Sequence, residues 1–120
     1  MPENPGFAIP TRQKSDVLFG ISTPLGAASS ITTETREVLG YAAVAILAFS
    51  DQPFSLSIQE ACLGDGDFVE TYNLSSSLVA GQNQICERIE PFGAFMNLVL
   101  DNPGSPMTLL QLSGQGIPQP

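Results

Sequence analysis

Residues 92–114 read FGAFMNLVLDNPGSPMTLLQLSG, two apolar runs separated by Asn102-Pro103-Gly104-Ser105-Pro106. Proline presets a turn backbone, glycine tolerates it, and asparagine and serine bond back to it, so the pentapeptide reads as a reversal between two strands. In the first run the even positions Ala94, Met96, Leu98 and Leu100 are all apolar. Side chains two apart share one face of a pleated strand, so these four point to a core. The odd positions, Phe95, Asn97, Val99 and Asp101, are mixed and are expected to face an edge or a partner. Beyond the turn, Leu110 and Leu112 repeat the two-residue spacing, which predicts a hairpin whose leucines enter a core between two sheets.

The same alternation recurs upstream. Phe54, Leu56 and Ile58 alternate with Ser55, Ser57 and Gln59, the pattern of a half-buried strand. Ala42 to Phe49 shows no alternation, which fits a central strand covered on both faces better than the alternative, a short buried helix. Gly64-Asp65-Gly66-Asp67, between FSLSIQEA and FVETYNL, predicts a tight type I′ hairpin, because Asp-Gly accepts the positive φ that this turn needs. With VLFGIS, SSITTE, LVAG and QICERI added, seven to nine short strands punctuated by turns predict an all-β antiparallel sandwich or barrel. Residues 1–16, with Pro2, Pro5 and Pro10 and no periodicity, read as an extended N-terminal arm. Residues 17–114 then form the domain and 115–120 a C-terminal tail.

The composition bounds the function. A chain of 120 residues suits one domain, and a hydrophobic fraction of 42% rules out global disorder. There are 12 acidic and 4 basic residues, for a net charge of -8, and Arg12, Lys14, Arg36 and Arg88 are scattered along the chain. Nucleic acids and anionic membranes both select clustered cations, so neither is an expected partner. The start, MPENPGFAIP, lacks the lysine and apolar stretch of a secretory signal. Gly40 to Phe49 is only half of the roughly 20 apolar residues that a helical span needs, so a soluble chain is expected. Cys62 and Cys86 fall in separate strand-like segments and read as buried free thiols, with a disulfide as the alternative.

Catalytic chemistry finds little footing. The chain has no histidine, which removes Ser-His-Asp and Cys-His arrangements and histidine-based metal sites. Asp65, Asp67 and Glu70 lack the spacing of an EF-hand loop and read as a solvated hairpin. Glu60, Glu87 and Glu90 could supply a glycosidase-like carboxylate pair, yet with no tryptophan and only Tyr41 and Tyr72 there is no platform for a sugar. GDGDF lacks the lysine of a phosphate loop, and GQGIP lies among the last residues. Ser29-Ser30 and Ser75-Ser76-Ser77 read as solvated loops. A non-enzymatic protein without metal or cofactor is expected.

From about residue 17 to 114 the order of features resembles the small jelly-roll or β-sandwich virion proteins of tailed bacteriophages, above all capsid decoration (cement) proteins. The resemblance rests on an opening strand before Thr23-Pro24-Leu25-Gly26-Ala27, then YAAVAILAF, FSLSIQEA running into the DG turn and Phe68, LVAGQ, and AFMNLVLDN before MTLLQL. It departs from that pattern at Asn97, where such domains often carry arginine, and at Phe68, where tryptophan is usual. It implies a jelly-roll-like sandwich on the outside of a capsid, partnered by the major capsid protein, often trimeric, and bridging coat subunits. A proline-studded arm suits such contacts, because a restricted backbone loses little entropy on ordering. The candidate contact residues are Pro5, Phe7, Pro10 and Arg12 of the arm, with Phe95 and Asn97 on the mixed strand face. A tail or baseplate component, or a carbohydrate-binding module using Phe7, Phe54, Phe92 or Tyr72, is the alternative.

Overall fold

A computed structural model describes residues 16–63 and 66–119, which form ten strands and no helix. In chain order these are β1 (Asp16–Ile21), β2 (Ser29–Thr32), β3 (Arg36–Glu37), β4 (Tyr41–Ser50), β5 (Ser55–Ala61), β6 (Val69–Ser75), β7 (Ser77–Val79), β8 (Gln82–Ile89), β9 (Phe95–Asn102) and β10 (Leu110–Pro118). They build two five-stranded antiparallel sheets that pack as a sandwich, so the all-β antiparallel expectation holds. The first sheet runs β1-β10-β4-β8-β7; the second runs β2-β9-β5-β6, with β3 also paired to β9. The count exceeds seven to nine because two pairings are very short, β3 and β7.

Setting β3 and β7 aside, the pairing is nested. The first strand pairs with the last, β1 with β10, and β2 pairs with β9. Further in, β4 pairs with β8 and β5 with β6. The chain is one long hairpin wrapped upon itself and sealed where β10 meets β4 and β5 meets β9. Inward-facing Leu56, Ile58, Met96, Leu98 and Leu100 of the second sheet close on Val44, Ile46, Ala48, Leu110 and Leu112 of the first, and all are buried. Burying one such side chain contributes about 1.5–3 kcal/mol, which is why the alternation decides the faces.

Residues 92–114 place their leucines in this core as expected, but they are not a hairpin. Strand β9 belongs to the second sheet and β10 to the first, so Asn102 to Leu109 is an arch between layers. The fully buried Asn102 organises it. Its Nδ2 donates to the carbonyls of Gly26 (2.9 Å) and Ser105 (2.8 Å), and its Oδ1 accepts from Gly104 N–H (3.2 Å). Two backbone bonds, Ala28 N–H to Gly104 O and Met107 N–H to Leu25 O, tie the arch to the loop before β2. At the same end the Asp51 carboxylate accepts from the N–H and hydroxyl of Thr108 and from Leu109 N–H. The Thr108 hydroxyl is the main reason that its pKa falls to about 2.

Other expectations need correction. Residues 115–118 are not a tail: they extend β10, between β1 and β4. Gly114 and Gly116 on that strand make room for rings, since a Cβ would stand 2.9 Å from Phe19 Cδ2 and 2.6 Å from Tyr41 Cε1 respectively. The predicted arm lies outside the described residues except for Asp16, which opens β1. Strands β5 and β6 do pair as neighbours, but the loop from Cys62 to Phe68 is longer than a two-residue turn, and Gly64 and Asp65 lie outside the described residues. A tight reversal instead joins β7 to β8 at Ala80-Gly81, with φ of 51° and 83°. Ser29, Ser30, Ser75 and Ser77 belong to strands, and Ser76 Oγ accepts from Phe54 N–H. Both cysteines are free thiols, and both are exposed: neither Cys62 nor Cys86 lies in the core.

Candidate interaction surfaces

Among the described carboxylates, Glu60 has a structural place. Glu60 points inward and is buried; its Oε1 accepts from Phe92 N–H (2.6 Å) and Gly93 N–H (2.9 Å), while its Oε2 accepts from the Thr71 hydroxyl. One oxygen thus holds the loop after β8 and the other holds β6. Glu87 and Glu90 are exposed, and no group of three or more His, Cys, Asp or Glu among the described residues could hold a metal ion.

Of the six predicted contact residues, Pro5, Phe7, Pro10 and Arg12 lie outside the described residues. Phe95 is half-buried on the outer face of the second sheet, as the alternation requires. Asn97 shares that face but does not stand in the open. It is 8% exposed, opposite Gln59 on β5, and its Oδ1 has no hydrogen-bond partner. On the other side the segment after β2 runs alongside the strand: Thr33 N–H bonds Leu98 O, and Leu98 N–H bonds Thr33 Oγ1. A buried acceptor without a donor costs stability.

The outer face of the first sheet is the less ordinary surface. Strand β4 is central, as expected, yet among the described residues only its inner face is covered. Ala45, Leu47 and Phe49 point outward, with Leu47 48% exposed. Beside them lie Cys86 and Arg88 of β8 and Ser113 and Gln115 of β10. Ala45, Leu47, Cys86, Arg88, Ser113 and Gln115 line an open depression of about 480 Å³ whose floor is mostly apolar. A strand with an apolar residue at almost every position is suited to cover on both sides. Its sequence signal was present; among the described residues, none covers the second face.

A second apolar surface forms at the end of the sandwich where β5 and β10 finish and β1 begins. Leu39, Leu63, Val69 and Phe92 are 70%, 66%, 62% and 76% exposed. Two shallow depressions meet there, sharing Cys62, Phe92 and Gly93. The Phe92 ring stacks on Tyr72 at 5.7 Å between centroids and 17° between planes, and the Tyr72 hydroxyl donates to Glu90 O. At the rim the Tyr41 hydroxyl donates to Asp16 Oδ2 at 2.5 Å, a bond that raises its pKa. Phe92 and Tyr72 are among the aromatics singled out in the sequence, whereas Phe54 is core. Leu39 and Leu63 escaped notice because neither falls in an alternating apolar run.

The chain matches no family model, no curated protein and no solved structure.

Proposed function

We propose that the protein is a non-enzymatic virion structural protein of jelly-roll type, a capsid decoration protein that binds the coat on the outside of a phage head and bridges neighbouring subunits as a homo-oligomer, a trimer in this reading. The nested strand order supports the jelly-roll part, since a wrapped eight-strand hairpin of two sheets is that architecture. Viral capsid proteins and lectins both use it, so fold alone does not choose between them. The observation that carries the choice is the apolar outer face of β4, with half-exposed Leu47 at its centre, which none of the described residues covers. A broad, weakly charged, shallow surface suits a protein partner better than a small polar solute. In this role the protein adds buried area across joints of the shell and turns over no substrate.

Replacing Leu47 by Glu tests the reading. The side chain is half-exposed, so urea melts should change little, while self-association and co-sedimentation with empty phage heads should both be lost. Mass spectrometry of purified, tail-free heads should find the chain. Its absence there, or unchanged sedimentation of the Leu47→Glu variant, would remove the coat from the proposal. The stacked Phe92–Tyr72 pair favours a second reading, a carbohydrate-binding module, because an exposed ring braced from behind is a platform for a sugar face. A glycan screen in which Phe92→Ala abolishes a hit would select it.

A further inference from the structure

Charge is spread unevenly over the two outer faces of the sandwich. Among the described residues, the outward positions of the first sheet hold one charged side chain, Arg88 of β8; the rest are glutamine, serine, glycine, cysteine and apolar residues. Glu87, beside Arg88 in the chain, takes an inward position opposite Ile46. The outward positions of the second sheet hold Glu37, Glu70 and Asp101 and no base, since Arg36 pairs with inward-facing Met96. In a chain of net charge -8, the first face is thus free of acid.

Two copies meeting through the second face would set carboxylate against carboxylate, and opposed like charges are what excludes a wrong partner. Meeting through the first face they would not. Exposed Val17 on β1, Leu47 on β4 and Val79 on β7 carry apolar surface from one edge of that sheet, through its middle strand, to the other edge. Ala45, Ser113 and Gly20 keep it low enough for a second sheet to pack at the usual spacing of about 10 Å. The five strands, of 6, 9, 10, 8 and 3 residues, tile roughly 600 Å² at ordinary strand spacing and rise. That approaches the roughly 800 Å² per partner of a standard specific interface and exceeds the roughly 400 Å² of a chance contact.

We infer that in the free protein the outer face of the first sheet is covered by the same face of a second copy, about a two-fold axis that brings the two Leu47 side chains together. The inference rests on the surface that the proposed function uses and deepens that reading. A pair keeps the face closed until a coat competes for it, and the trimer of that reading forms on the shell.

Cys86 stands on this face opposite Leu47 and is exposed in the single chain, so it reports on cover. In the full chain carrying Cys62→Ser it is the single thiol. Its reaction with DTNB should slow about fourfold as protein is raised from about 1 to about 100 μM, the change given by a Kd of about 10 μM, ordinary for a contact below standard size. Sedimentation velocity should show the same transition. Higher salt should strengthen the pair, because it screens two chains of net charge -8 while the contact itself is apolar. With both native cysteines changed to serine, Leu47→Cys should oxidise to a disulfide-linked pair, whereas Ser57→Cys on the second face should not. A chain still single at the upper concentration would overturn the inference; an unreactive Cys86 in that single chain would make residues 1–15 the occupant. A pair that survives Leu47→Glu, or that crosslinks as readily through Ser57→Cys, would overturn it by moving the contact to another surface. None of these readings uses phage heads, so lost head binding with the pair intact would sink the coat reading alone.

Discussion

Replacing Asn102 by Ala removes three hydrogen bonds that hold the arch between the sheets, and its cost can be worked from their surroundings. Asn102 is fully buried, so the amide has no competing water in the native state. At roughly 1 kcal/mol net for each bond, the loss is about 3 kcal/mol. Gly26, Gly104 and Ser105 are exposed residues, so water can take up part of what their backbone groups lose. That lowers the expected cost to about 2–3 kcal/mol, comparable with the roughly 2–5 kcal/mol of Leu98→Ala in the adjoining core. Asn102→Asp is the sharper variant. It keeps the shape and the acceptor for Gly104 but turns a carboxylate towards the carbonyls of Gly26 and Ser105. The folded state then raises the pKa of that aspartate. Its penalty is full at neutral pH and relaxes as pH falls through the raised value, where a protonated carboxyl can donate one bond. Urea melts across pH would read both effects. An Asn102→Ala variant within about 0.5 kcal/mol of the parent, the range of an ordinary surface change, would refute the role given to this amide. So would an Asn102→Asp variant as stable as the parent at neutral pH.

Three further outcomes follow from local geometry. Ala80 sits at φ 51° ahead of Gly81, so Ala80→Asn should raise stability by about 0.5–1 kcal/mol, because asparagine tolerates the left-handed region better; a thermal melt that moves down would contradict this. The bonds from Thr108 and Leu109 lower the pKa of Asp51 to about 2, so its contribution is present above about pH 4 and lost as pH falls towards 2. Asp51→Asn should flatten that part of the acid unfolding curve, and an unchanged acid limb would separate Asp51 from it. Asn97→Ala removes a buried acceptor that has no donor, so it should leave the protein within about 1 kcal/mol of the parent or more stable, as judged by urea melts. A loss above about 3 kcal/mol would mean that the amide is satisfied by a group outside the described residues.

The strands themselves were legible because alternation is a local property. Phe54 to Gln59, and the leucines at 98, 100, 110 and 112, took the faces that their spacing dictated. What joined them was not legible. Asn102 to Pro106 announces a reversal, but a turn signal does not say whether the next strand returns to the same sheet or crosses to the other. Gly114 ended the predicted domain and Gly116 fell in the predicted tail, since the rings that fill their space come from Phe19 and Tyr41, far away in the sequence. Ala80-Gly81 lacks the Asn-Gly signature of its turn. Of the candidate surface, the unbroken apolarity of β4 was visible but was read as two covers where the described residues supply one. Asn97 was placed on the correct face, while its burial there is something no periodicity reveals.

The nesting of the strands sets an order of events during synthesis. Only β5 with β6 and β7 with β8 join consecutive segments; the other pairings bring together parts of the chain made at different times. Closing such long loops is what makes β-rich topologies slow to fold. The innermost hairpin can form while the ribosome is still translating, but β1 and β4 have no neighbour between them until residues 110–118 emerge. Until then two strand edges of the first sheet stand open, and open edges recruit other chains. A nascent chain halted short of β10 is therefore a template for aggregation, and chaperone demand should peak just before synthesis passes residue 118.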